Sequence, residues 1–142
     1  MNTLKIDTGE QSFSLNGECE VHFNPSDATF IKTLYNAFST LEKMQSEYAK
    51  KRESINENDP EELLSFLEAE DKSVRAIIDS VFDVPVCDAV FGNKNIYARS
   101  TTGIPLWANL LLAILDECDA SVKDLDKKGN ATVQKYIKKY KR

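Results

Sequence analysis

The sequence is poor in the residues that most chemistry needs. It has one histidine, His22, and three cysteines, Cys19, Cys87 and Cys118, placed far apart. No two cysteines stand at the short spacing of a zinc site or a redox pair, and an odd number does not suit a secreted disulfide framework. Each reads instead as a reduced thiol packed like a small apolar side chain. His22 falls on the polar side of an expected strand, and the sequence alone gives no ground for pairing it with a Ser or Cys nucleophile. Neither G-x-x-x-x-G-K-[ST] nor G-x-G-x-x-G occurs, so there is no visible phosphate cradle. The longest apolar stretch, Leu106 to Leu115 interrupted by Asn109, is about half of what a membrane span requires. The first residues, Met1 to Asp7, lack the apolar core of a signal peptide, so the expected location is the cytoplasm. No enzyme, metal or cofactor is expected from this inventory.

The 142 residues, 42% hydrophobic and 29% charged, fit one ordinary globular domain. A chain of this length buries roughly 70% of its unfolded surface and needs no staple. The net charge of −5 excludes a protein that coats nucleic acid or an anionic membrane with its whole surface. The sum hides a split: residues 127–142 hold seven of the 18 basic side chains and no acidic one, leaving −12 on residues 1–126.

That basic end is the charged feature best suited to binding. Lys135, Lys138, Lys139, Lys141 and Arg142 alternate with Tyr136, Ile137 and Tyr140. Cations interleaved with aromatics grip phosphates and stack bases. The footprint is small and the rest of the chain is acidic, so docking on the chain's own body or on an acidic protein segment is expected before nucleic acid. A calcium loop over Asp124 to Gly129 is rejected, because Lys128 and Lys135 stand where the ion needs oxygen donors.

Alternation at Leu4/Ile6, Phe13/Leu15 and Cys19/Val21/Phe23 predicts three strands within residues 1–23, turning at Thr8-Gly9 and Asn16-Gly17. Parity fixes the second turn. Leu15 shares a face with Cys19 only if the loop holds an odd number of residues, so three are expected, with Gly17 at positive φ. A two-residue Thr8-Gly9 turn sets Leu4 opposite Phe13. A first helix starts after Asn24-Pro25, capped by Ser26 or Asp27. Phe30, Leu34, Ala37, Leu41, Met44 and Tyr48 form a heptad seam, read either as a core face or as an intermolecular coiled coil. Asp59-Pro60-Glu61-Glu62 starts a second helix, with a buried stripe of Leu63, Leu64, Leu67, Val74, Ile77, Ile78, Val81 and Phe82. Val86 to Phe91 is a short helix closed by Gly92. Gly103-Ile104-Pro105 opens the most apolar helix, which should sit at the centre of the core and break at Lys127-Lys128-Gly129-Asn130. The expected fold is α+β: a mostly helical single domain with an N-terminal antiparallel β meander (1–23) packed on four or five helices. Its helical body spans 26–126, and a basic helix or tail spans 127–142.

Four segments in this order carry a resemblance: Asn24-Pro25-Ser26-Asp27 after a β meander, Pro85 to Gly92, Gly103-Ile104-Pro105-Leu106-Trp107-Ala108-Asn109 running into Asp116-Glu117, and Gln134-Lys135-Tyr136. Together they look like a family of small proteins from tailed phages and prophages of Gram-positive gut bacteria, clearest from Pro85 to Glu117. These in turn resemble siphophage tail assembly chaperones. The resemblance implies a non-enzymatic protein that binds the tape measure protein, and with it the tail tube protein, during tail assembly. It carries no catalytic motif. Candidate partner-binding residues are Phe91 and Trp107, each alternatively a core residue, and Lys135, Tyr136, Lys138, Lys139, Tyr140, Lys141 and Arg142. The alternatives are a structural tail component that oligomerises through an open N-terminal β edge, and a small nucleic-acid-binding regulator using the basic end.

Overall fold

A computed structural model describes residues 1–55 and 58–140, except the side chains of 132–134 and 136–140. The chain folds as a two-stranded antiparallel hairpin on four helices, an α+β domain. Strands β1 (Gln11–Leu15) and β2 (Cys19–Phe23) pair with Phe13 opposite Val21 and Leu15 opposite Cys19. Parity therefore holds. The loop is three residues long, Asn16 and Gly17 take φ of 54° and 71°, and Glu18 N donates to Leu15 O at 2.9 Å. Glycine suits such a position because it has no Cβ to clash at positive φ.

The third expected strand does not form. Leu4 and Ile6 are 83% and 77% exposed, and residues 1–10 carry no strand. The reason lies at the foot of the hairpin. Gly9 N donates to Asp7 Oδ1 at 2.8 Å, and Asn24 Nδ2 donates to Thr8 O at 2.9 Å. A Cβ on Gly9 would stand 2.5 Å from Asn24 Nδ2. The Asx turn and this close approach tie Thr8 and Gly9 to the end of β2, in place of the two-residue turn that would lay Leu4 beside Phe13.

Helix α1 (Ala28–Ser54) is capped by Asp27, whose Oδ1 accepts from Thr29 N at 2.9 Å. Leu34, Ala37 and Leu41 of its seam are buried, and Phe30, Met44 and Tyr48 are half-buried. The seam is thus a core face of this chain. Helix α2 (Pro60–Phe82) is capped by Asp59 through Glu62 N at 3.1 Å, with Glu61 and Glu62 in its first turn. Leu64, expected in the buried stripe, is 60% exposed. Phe66 is buried instead, stacked on Tyr48 with ring centroids 5.5 Å apart. Helix α3 (Val86–Phe91) ends at Gly92.

One arginine locks the second half of the fold. Arg75 on α2 donates to Asp71 Oδ2 and Asp88 Oδ1, both at 2.9 Å, and to the carbonyls of Gly92 (2.9 Å) and Lys94 (2.6 Å). Asp71 Oδ1 accepts from Ile96 N at 2.7 Å, which sets Ile96 in the core. The loop then supplies the start of α4 (Leu106–Tyr140) with acceptors: Leu106 N donates to Ala98 O, and Trp107 N to Ile96 O.

Helix α4 is 35 residues long and runs through the expected break at Lys127 to Asn130. Ion pairs one turn apart, Lys123–Asp119 at 3.0 Å and Lys128–Asp124 at 2.9 Å, support the exposed stretch. Such pairs contribute a few tenths of a kcal/mol each, roughly offsetting a single helical glycine at about 1 kcal/mol. The first half of the helix supplies six buried core residues, Ala108 and Leu110 among them, as the apolar run predicts. Trp107, Leu111, Ile114 and Cys118 face the core, while Asn109 and Ala113 are exposed. Among the described residues, no helix is long and apolar enough to cross a membrane.

Candidate functional site

Residue types with catalytic potential meet at one exposed point of the hairpin, His22 with Ser12, and the cysteines lie apart from it. His22 lies on the exposed face of β2, where its Nδ1 meets Ser12 Oγ at 2.8 Å. All three cysteines are free. Burial, reinforced by Asp79, pushes the Cys87 thiol well above its ordinary range, the direction opposite to that of an activated nucleophile. Among the described residues no three His, Cys, Asp or Glu side chains converge as metal ligands. Residues 124–129 are helical, so the loop geometry of a calcium site does not arise.

The feature with the shape of a binding site is a groove between α1 and the start of α4. Its floor is Trp107, 3% exposed, with its ring 5.3 Å from that of Phe38. A buried indole N–H needs an acceptor, and Trp107 Nε1 finds Gln45 Oε1 at 2.8 Å. Phe38, Ala49, Ile104, Pro105 and Leu112 line the first stretch, an open cleft of about 550 Å³. A second stretch of about 470 Å³ shares Gln45, Ala49 and Pro105 and continues past Tyr48, Arg52, Tyr97 and Arg99. Both lie along α1, with the three shared residues between them.

An aromatic stack builds the far end. Tyr48 lies between Tyr97, at 4.0 Å, and Phe66, at 5.5 Å. Arg52 Nη1 donates to Tyr48 Oη at 3.3 Å. The Tyr97 hydroxyl is buried with no hydrogen-bond partner, and burial, with Glu70 and Tyr48 adding to it, pushes its phenol up. The rim carries Glu42 and Glu53 beside Arg52 and Arg99, charges of both signs around an apolar floor.

The sequence candidates are not brought together here. Trp107 forms the groove floor, but as a core residue and not as a protruding anchor. Phe91, 8% exposed, lines a separate cleft with Leu15, Leu110 and Ile114. Core burial, the alternative for both, is what the structure shows. Lys135 is exposed on α4. The side chains of Tyr136, Lys138, Lys139 and Tyr140, and the whole of Lys141 and Arg142, lie outside the described residues. The groove residues Gln45, Arg52, Tyr97 and Arg99 escaped the sequence reading. A signal existed on α1: Phe38, Glu42, Gln45 and Ala49 repeat the four–three spacing one residue after seam members Ala37, Leu41, Met44 and Tyr48, so they form its flank. Tyr97 and Arg99 sit in an aperiodic loop and gave none.

Comparison with family models, curated proteins and solved structures finds no match for this chain.

Proposed function

We propose that this protein is a non-enzymatic chaperone of the tail assembly type, acting in the bacterial cytoplasm, which holds an amphipathic helical segment of the tape measure protein in the α1/α4 groove. One observation carries the reading: two open clefts that share Gln45, Ala49 and Pro105 follow α1, the first mostly apolar and the second ringed by Arg52, Glu53 and Arg99. Along α1 they run from Phe38 to Glu53, roughly 22 Å at 1.5 Å per residue, which is about four turns of a docked helix. Helix-in-groove recognition works in this way, with apolar anchors on the floor and polar contacts at the edges. The sequence resemblance from Pro85 to Glu117 supports the identity of the partner, because a tape measure protein exposes long apolar helical faces before the tube closes around it.

Co-expression with a siphophage tape measure protein tests it. The tape measure protein should stay soluble and co-purify. Ala49→Arg, a change at an exposed residue shared by both stretches of the groove, should abolish this while leaving Tm unchanged. Unaltered solubility with nothing co-purifying refutes the reading. Finding the protein in purified virions would instead favour the structural tail component, whose oligomerising edge would be the unpaired side of β1.

A further inference from the structure

The chain holds four arginines, and two of them face one cleft. Arg75 is committed inside the fold to two carboxylates and two carbonyls, and Arg142 lies outside the described residues. Arg52, in the last turn of α1, and Arg99, on the loop before α4, are both exposed and line the second stretch of the groove. Neither forms an ion pair among the described residues, although the chain has 23 acidic side chains. Both are nonetheless held in place. The backbone of Arg99 bridges to Pro105, in a tight loop closed by Ser100 N donating to Ile104 O at 2.8 Å. Arg52 Nη1 donates to Tyr48 Oη at 3.3 Å, and the Tyr48 ring is itself fixed against Tyr97 at 4.0 Å.

Charge therefore changes along the groove. The first stretch is mostly apolar, and Glu42 is its charged residue. The second holds two arginines against Glu53, so it is net positive on a chain of net charge −5. Glu42 and Arg52 stand ten residues apart on α1, about 15 Å at 1.5 Å per residue. Between them the α1 wall is neutral, with Gln45, Ser46 and Ala49. An occupant that is apolar throughout leaves both guanidinium groups without a partner, and one with a basic end is repelled.

Two anion chemistries fit a pair of arginines: carboxylate and phosphate, each matched by the planar guanidinium fork. The surroundings favour carboxylate. Single-stranded nucleic acid binds by stacking its bases on free aromatic faces. Tyr48 offers none, because Tyr97 covers one face at 4.0 Å and Phe66 the other at 5.5 Å. Beyond the arginines the groove becomes apolar, which suits side chains of a peptide rather than a continuing phosphate backbone.

We propose that Arg52 and Arg99 make the groove selective for an amphipathic helix with carboxylates clustered at one end, its apolar face lying along Phe38 and Leu112 and its acidic end against the two arginines. This rests on reading the groove as a helix site, and adds which helix it takes. Two synthetic helical peptides of about 16 residues, the span of the groove, test it. They share one apolar face; one ends in a turn of glutamates and the other in lysines at the same positions. Titrated against the full chain by fluorescence anisotropy, the glutamate peptide should bind roughly tenfold tighter at low salt, a preference that shrinks as salt rises. Arg52→Gln with Arg99→Gln should erase the preference without lowering Tm, since both side chains are exposed. Glu42→Gln, at the opposite end, should not reduce it. Equal affinity for the two peptides overturns this inference and leaves the groove a helix site; binding of neither overturns both. Salt-sensitive binding of a single-stranded oligonucleotide that is lost in the double variant, with no glutamate preference, assigns the arginines to phosphate and overturns it too.

Discussion

The Trp107 indole donates its N–H to the Gln45 side-chain oxygen across 2.8 Å, joining α1 to α4 beneath the groove. It is the only tryptophan, and a direct report on the proposed binding site. Gln45→Leu removes the acceptor and strands a buried donor, which costs about 1–3 kcal/mol. Chemical denaturation should show a lowered midpoint with unchanged slope. A helical peptide bound in the groove should shift or quench the Trp107 emission of the native chain, and Ala49→Arg should suppress that change.

Arg75 should be the least replaceable charged residue. Its side chain is 12% exposed and bonded to two carboxylates and two carbonyls. Arg75→Met strands Asp71, itself mostly buried, together with the carbonyls of Gly92 and Lys94. Losing one partner of such a cluster costs about 3–5 kcal/mol. Asp88, at 80% exposed, should behave as a surface partner, and Asp88→Asn should cost at most about 1 kcal/mol. Equal losses from the two substitutions, measured by urea titration, would contradict this ranking.

The alkaline limb of stability should be set by buried acids that resist ionisation. Burial raises the Cys87 thiol from an ordinary value of 9.0 and the Tyr97 phenol from 10.0. Below pH 9 both the folded and the unfolded chain hold these protons, and the contribution is constant. Above it the unfolded chain releases protons that the folded chain keeps, so stability falls as pH rises. Tm measured from neutrality upward should decline from about pH 9, the ordinary thiol range. Cys87→Ala should lower Tm at neutral pH through lost packing and flatten the decline above it.

Tyr97 separates a structural hydroxyl from an idle one. Its Oη is buried and bonds nothing, while its ring stacks on Tyr48 at 4.0 Å. Tyr97→Phe removes an unsatisfied polar group and keeps the stack, so stability should hold or rise by up to about 1 kcal/mol. Tyr97→Ala loses the ring and should cost about 3–5 kcal/mol. A clear loss in Tyr97→Phe would mean that the hydroxyl has a partner in solution.

What could be read in advance was whatever rests on local periodicity and local caps. Asp27, Asp59 and Gly92 mark helix ends through bonds to residues two to four positions away, and the parity of Leu15 and Cys19 fixes a loop. Contacts between distant segments left no such trace. Arg75 reaches Lys94, and Gln45 reaches Trp107 across 62 residues. Nothing near either residue in sequence names the other. The break expected in α4 failed for a related reason: lysines and a glycine weaken a helix locally, but ion pairs one turn away restore it. For the groove, the flank of the α1 seam was legible and the loop side was not, because Tyr97 and Arg99 follow no period.

The N-terminal segment gives the sharpest test of that correction. Three strands were expected from the alternation at Leu4 and Ile6, yet the sheet has two, and both side chains face solvent. A paired third strand would bury about 1.5–3 kcal/mol worth of apolar side chain at each of these positions. In the observed fold neither contributes to the core. Removing residues 1–6 leaves Asp7, Thr8 and Gly9 to make their bonds at the foot of the hairpin, so stability should change by less than about 0.5 kcal/mol, as for surface residues generally. Gly9→Ala attacks the tie itself. It forces a side chain into φ of 77° and against Asn24 Nδ2, and should cost about 1 kcal/mol or more. If the truncation proves the costlier of the two, Leu4 and Ile6 are paired in solution and the sheet has its third strand after all.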